Sequence, residues 1–85
     1  MPTVLREGGY QFIIFTSDHP PAHVHIRHSD RLAKLRLNPI QFERNGGFKL
    51  NEQRRILEIV EANYAILIAA WDDLYPSQEM PEDES

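Results

Sequence analysis

Apolar residues change their spacing partway along this chain, and that change decides the class of fold open to it. Up to about residue 44 they recur at every second position, and from Asn51 onward at three- and four-residue steps. A period of two belongs to a half-buried strand, and a period near 3.6 belongs to an amphipathic helix. Strands first and a helix afterwards make a sheet with its apolar face under that helix. The pattern therefore predicts an α+β fold. An antiparallel sheet of four to five strands over about residues 3–44 packs against one long C-terminal helix over about 51–75.

Thr3-Val4-Leu5-Arg6 and Tyr10-Gln11-Phe12-Ile13-Ile14-Phe15 are rich in β-branched and aromatic residues, and Gly8-Gly9 between them signals a hairpin. A third strand runs from about His23 to Arg27, followed by a turn at Ser29-Asp30. In the next strand Leu32, Lys34 and Arg36 share one face, while Ala33, Leu35 and Leu37 share the other. Asn38-Pro39 breaks it, and Ile40 and Phe42 read as a short fifth strand; the alternative is one helical turn capped by Asn38. Ile56, Val60, Asn63, Leu67 and Trp71 line the apolar stripe of the helix, with Asn51 as its expected N-cap and Arg54 in the capping-box position. Trp71 reads as core, and Pro76 ends the helix.

Eighty-five residues make one domain, expected over 1–76. With no cysteine the chain has neither disulfides nor thiolate metal ligands, which fits a reducing compartment. No apolar run approaches the ~20 residues of a membrane span, so no membrane partner and a cytoplasmic location are expected. The net charge of −4 conceals an asymmetry: all nine Lys and Arg lie at or before Arg55, whereas residues 56–85 carry acids alone. The last stretch, 77–85, is polar and acidic, and its composition predicts no fixed structure. A basic front suits an anionic ligand, and an acidic end suits a basic partner or a solvated face. The helix also offers a surface for a homodimer.

All four histidines fall between positions 19 and 28, within Asp18-His19-Pro20-Pro21-Ala22-His23-Val24-His25-Ile26-Arg27-His28. Prolines lock φ and disfavour α geometry in the residue before them, so His19-Pro20-Pro21 is expected to form a stiff, extended bend. On a strand His23 and His25 point to one side and His28 to the other. Imidazole serves as a metal ligand or as a general acid or base near neutral pH. Three readings stand open. In the first, His19, His23 and His25 are catalytic groups that cleave RNA, Arg27, Arg31, Lys34 and Arg36 hold its phosphates, and Tyr10 stacks on a base. In the second, His19, His23 and His25 hold a divalent metal such as zinc, and Asp18 acts behind them to fix a tautomer. In the third, the histidines satisfy backbone groups of the turn, and the domain is a non-catalytic protein-interaction module. The residues alone leave open whether the protein is an enzyme.

The order of the Thr3-Val4 hairpin, the Asp18-His19-Pro20-Pro21-Ala22-His23-Val24-His25 block, Asn45-Gly46-Gly47-Phe48 and the Arg54-to-Asn63 helix ending near Trp71 resembles a known family. It is similar to the small prokaryotic proteins catalogued as domain of unknown function 4160, over about Pro2 to Tyr75. The resemblance implies that the block at His19, His23 and His25 is a family feature. Members often sit beside a second small protein, which implies a toxin–antitoxin-like pair and a small partner protein. No reaction is established for the family.

Overall fold

The computed structural model describes residues 3–15 and 18–76. Residues 77–85, expected to form an acidic tail, lie outside the described residues. Five strands follow one another as a meander: β1 (Thr3–Glu7), β2 (Tyr10–Ile13), β3 (His23–His28), β4 (Arg31–Leu37) and β5 (Ile40–Arg44). Each pairs antiparallel with the next in a single sheet of order β1-β2-β3-β4-β5. Three of the four connections are two-residue turns. The first is Gly8-Gly9, with φ of 63° and 85°, the pair of left-handed conformations that matches the twist of a tight hairpin. The second is Ser29-Asp30, and the third is Asn38-Pro39. Asn38-Pro39 therefore joins two strands, and no helical turn intervenes. The Asn38–Pro39 and Pro20–Pro21 peptide bonds are cis.

Only the β2–β3 connection is long, and it carries Asp18 and His19. Strand register sorts the side chains. Phe12, Ile26 and Ala33 form one cross-strand row and Val24, Leu35 and Phe42 another, all facing the helices. Phe12, Val24, Ile26, Leu35 and Leu37 are completely buried there, together with Ile56, Val60 and Leu67 from the helices. At ~25 cal/mol per Å² of apolar area, this shared interior is the main force holding helix to sheet. Val4 is only partly buried on edge strand β1.

The helical segment departs from expectation in two ways. It is two helices, α1 (Leu50–Ala62) and α2 (Tyr64–Leu74), separated at Asn63. Asn63 has φ −119° and ψ 22°, and its side-chain amide donates to the Ile59 carbonyl at 2.9 Å. A short polar side chain that bonds nearby backbone competes with helix geometry, which explains the break. The apolar spacing continues across it, so the sequence reads as one helix. The helix also starts earlier than Asn51. Lys49 is the cap, and its N–H donates to Glu52 Oε1 at 3.0 Å, so Glu52 supplies the capping carboxylate that Arg54 cannot. Among the described residues no helix is long and apolar enough to cross a membrane.

A candidate metal centre on the sheet face away from the helices

His23 opens β3 and His25 follows two residues later, so strand geometry turns both rings to the face away from the helices. The loop before them folds Asp18 back over that face. The Phe15 N–H donates to Asp18 Oδ2 at 3.0 Å, and the Asp18 N–H donates to the Phe15 carbonyl at 3.1 Å. The other carboxylate oxygen, Oδ1, lies 3.3 Å from His23 Nε2 and 3.4 Å from His25 Nε2. One ligand atom from each of these three residues falls within 4.8 Å of the other two.

The surroundings fix the rings. His23 is 5% exposed, packed 5.2 Å from Trp71 and 5.2 Å from His25 by ring centroids. Its Nδ1 lies 2.9 Å from the Pro21 carbonyl. A carbonyl only accepts, so Nδ1 carries the proton, and in the neutral ring Nε2 is a bare lone pair. That lone pair faces a carboxylate oxygen, another acceptor. Two acceptors at 3.3 Å repel unless a proton or a cation sits between them. His25 packs edge-on against Phe15 at 4.5 Å. Burial pulls its pKa below the ordinary imidazole value and outweighs the opposing pull of Asp18.

The residues singled out in the sequence separate here. Asp18 joins His23 and His25 directly, rather than standing behind a three-histidine set. His19 is exposed and lines the same cavity, of about 240 Å³, but its ring is not in the cluster. His28 lies on the opposite face, with Nδ1 3.0 Å from the Gly9 carbonyl. The four cations do not form one surface. Arg31 faces the helices, donates to Glu52 Oε1 at 3.1 Å and lies over the Phe48 ring. Arg27 borders a separate hollow beside Ile13, Phe15 and Leu32. Lys34 and Arg36 share one acid, Glu43, at 3.2 Å and 2.6 Å. Tyr10 is buried against His28 and Phe48 and offers no stacking surface.

Two site residues escaped the sequence reading. Glu43 and Arg44 both line the histidine cavity, because β5 carries a bulge there. Lys34 pairs with Arg44 and Leu35 with Phe42, which leaves Glu43 as the extra residue. A bulge re-aims side chains that strict alternation would send to opposite faces. Two adjacent charges at a strand end were the only hint of it in the sequence.

Sheet, helices and cluster together define a small α+β domain with a His/Asp site on the second face of the sheet, where Trp71 of α2 reaches His23. The family described as Domain of unknown function (DUF4160) matches residues 9–72, and the chain belongs to that family. No curated protein and no solved structure matches it.

Proposed function

We propose that this is a metal-binding domain that holds one divalent transition-metal ion between Asp18 Oδ1, His23 Nε2 and His25 Nε2. The observation that carries this reading is the convergence of three potential ligand atoms, with His23 Nδ1 already committed to the Pro21 carbonyl. A metal-bound histidine characteristically donates its other ring N–H to a carbonyl or carboxylate, which fixes the tautomer. Two of the three ligand spacings agree as well. Zinc bonds of ~2.0–2.1 Å at tetrahedral angles set ligand atoms about 3.3–3.4 Å apart. The two edges from Asp18 measure 3.3 Å and 3.4 Å. Two imidazoles and one carboxylate serve in catalytic zinc sites and in ferrous sites, and such sites leave a position open for water or substrate. Here that position faces the cavity.

The test uses untagged protein stripped with a chelator and titrated with zinc. One equivalent is expected to bind, with a rise in Tm that follows zinc concentration. Asp18→Asn and His25→Ala are expected to lose the stoichiometric binding, and His19→Ala to keep it. Absence of binding, or equal binding by all three variants, overturns the reading.

A second reading, RNA binding or cleavage as part of a toxin–antitoxin-like pair, draws support from Lys34 and Arg44 on the cavity wall. It has less behind it than the metal reading. His23 is buried, and the remaining cations are spread over both faces. Metal-independent cleavage of single-stranded RNA that survives chelation would favour it.

A further inference from the structure

A cross-strand row on the face away from the helices runs Ile13, His25, Lys34, Arg44, one residue from each of β2 to β5. Directly opposed residues in antiparallel strands have Cα atoms about 4.5–5.5 Å apart. The row therefore leads from an apolar end, through the cluster, to two cations within two strands of it. Lys34 and Arg36 share the single carboxylate of Glu43, so one positive charge on that wall is left over. The Arg44 side chain has no hydrogen-bond or ion-pair partner among the described residues, and the bulge turns it to the cavity. A bulge that spends a residue to bring an unpaired arginine beside a histidine cluster fits ligand binding.

We infer that the cavity is a phosphoryl-binding site, in which a phosphate oxygen occupies the open metal position while Arg44 and Lys34 hold the remaining oxygens. This rests on the metal reading above. A phosphoryl group, unlike a carboxylate, has three terminal oxygens when it is an ester's end group. The wall offers three places to put them: the ion, the planar fork of Arg44, and the Lys34 ammonium. Arginine pairs with phosphate through two parallel N–H bonds, and lysine pairs as a point charge. Glu43 keeps Lys34 and Arg36 in place when the cavity is empty and gives up part of that pairing when an anion arrives.

Calorimetric titration of the zinc-loaded full chain with inorganic phosphate tests the inference, with zinc binding followed separately in each variant. Arg44→Ala is expected to bind zinc as the parent does and to lose phosphate affinity by about tenfold or more, the scale of one charge-assisted hydrogen bond. Arg6→Ala, a cation on the far edge strand, is expected to change neither. Phenyl phosphate and a short oligoribonucleotide as further ligands separate the sources: tighter binding of the monoester marks a terminal phosphate, and tighter binding of the oligonucleotide marks a phosphodiester backbone. Either outcome supports a phosphoryl site. Normal zinc binding without phosphate binding, or equal phosphate affinity in Arg44→Ala, overturns this inference and leaves the metal reading standing. No zinc binding overturns both.

Discussion

The two faces of the sheet are built on opposite principles. Toward the helices, Phe12, Val24, Ile26, Leu35 and Leu37 are wholly buried against Ile56, Val60 and Leu67, an interior without a charge. On the other face, beyond the buried Ile13, the same strands present His25, Lys34, Arg36 and Arg44, with ion pairs over β4 and β5. A one-layer antiparallel sheet commonly keeps one face packed and the other polar. Strand alternation lets one sheet do both, since parity sets each residue's face wherever no bulge intervenes.

Mutations break that comparison most sharply at the helix side. Leu67→Ala or Leu35→Ala is expected to cost ~2–5 kcal/mol through lost transfer energy and a residual cavity. That is a large share of the ~5–15 kcal/mol by which small domains are usually stable. Urea melts measure it, and a loss under 1 kcal/mol (about the figure for an exposed site) at either position would mean that the helices are not docked as described.

The next effect lies at Gly46, whose φ of 64° is left-handed and where an added Cβ would collide with the Leu32 carbonyl. Gly46→Ala is expected to cost at least ~1–2 kcal/mol, since the backbone must shift as well as bear the strain. A neutral melt would show that the Asn45-Gly46-Gly47 turn can move away from β4.

On the polar face, His23→Ala is expected to cost ~1–3 kcal/mol, because the Pro21 carbonyl loses its donor and the buried ring its packing on Trp71. His25→Ala is expected to cost less in the absence of metal, having no such backbone bond. Equal losses would dissolve the distinction between a buried anchor and a ligand held for exchange.

The smallest effect is a pH dependence carried by the ion pairs. Hydrogen bonds from Arg36 and Lys34 hold the Glu43 carboxyl below its ordinary value, and the Lys49 backbone N–H does the same for Glu52. For a carboxyl whose folded pKa is depressed, the stabilisation is complete above the unfolded pKa and disappears as pH falls through the folded one. Glu43→Gln and Glu52→Gln are therefore expected to flatten the fall of the urea midpoint between about pH 6 and about pH 3. Both groups are solvent-accessible, so added salt should shrink the difference. A slope unchanged from the parent would place the acid sensitivity elsewhere.

Much of this was legible in the sequence, for reasons that also mark where legibility ends. The strands, the Gly8-Gly9 and Ser29-Asp30 turns and the shared face of His23 and His25 follow from parity and local turn chemistry, which are properties of neighbouring residues. The Asn63 break was hidden because Val60, Asn63 and Leu67 keep helical spacing across it; only the Asn63 side chain's bond to Ile59 reveals the interruption. That Asp18 and not His19 meets the histidines depends on the path of the β2–β3 loop, held by Phe15 backbone groups that carry no side-chain signal. Arg44 was hidden by a bulge, which defeats the parity rule that made the rest readable.

The Phe15 backbone ties two distant parts of the chain together. Its N–H holds Asp18, and its carbonyl accepts the hydroxyl of Tyr75, which stacks on Trp71 just past the end of α2. Two events that share one structural element bias each other by equal free energies, whichever happens first. On the metal reading, seating an ion at Asp18 steadies the far end of the chain, and loosening Tyr75 weakens the grip on the ion. The end of α2, where Trp71 also meets the His23 ring, is then a reporter of site occupancy. Zinc should slow hydrogen exchange at the Tyr75 amide, and Tyr75→Phe, which touches no ligand atom, should loosen zinc.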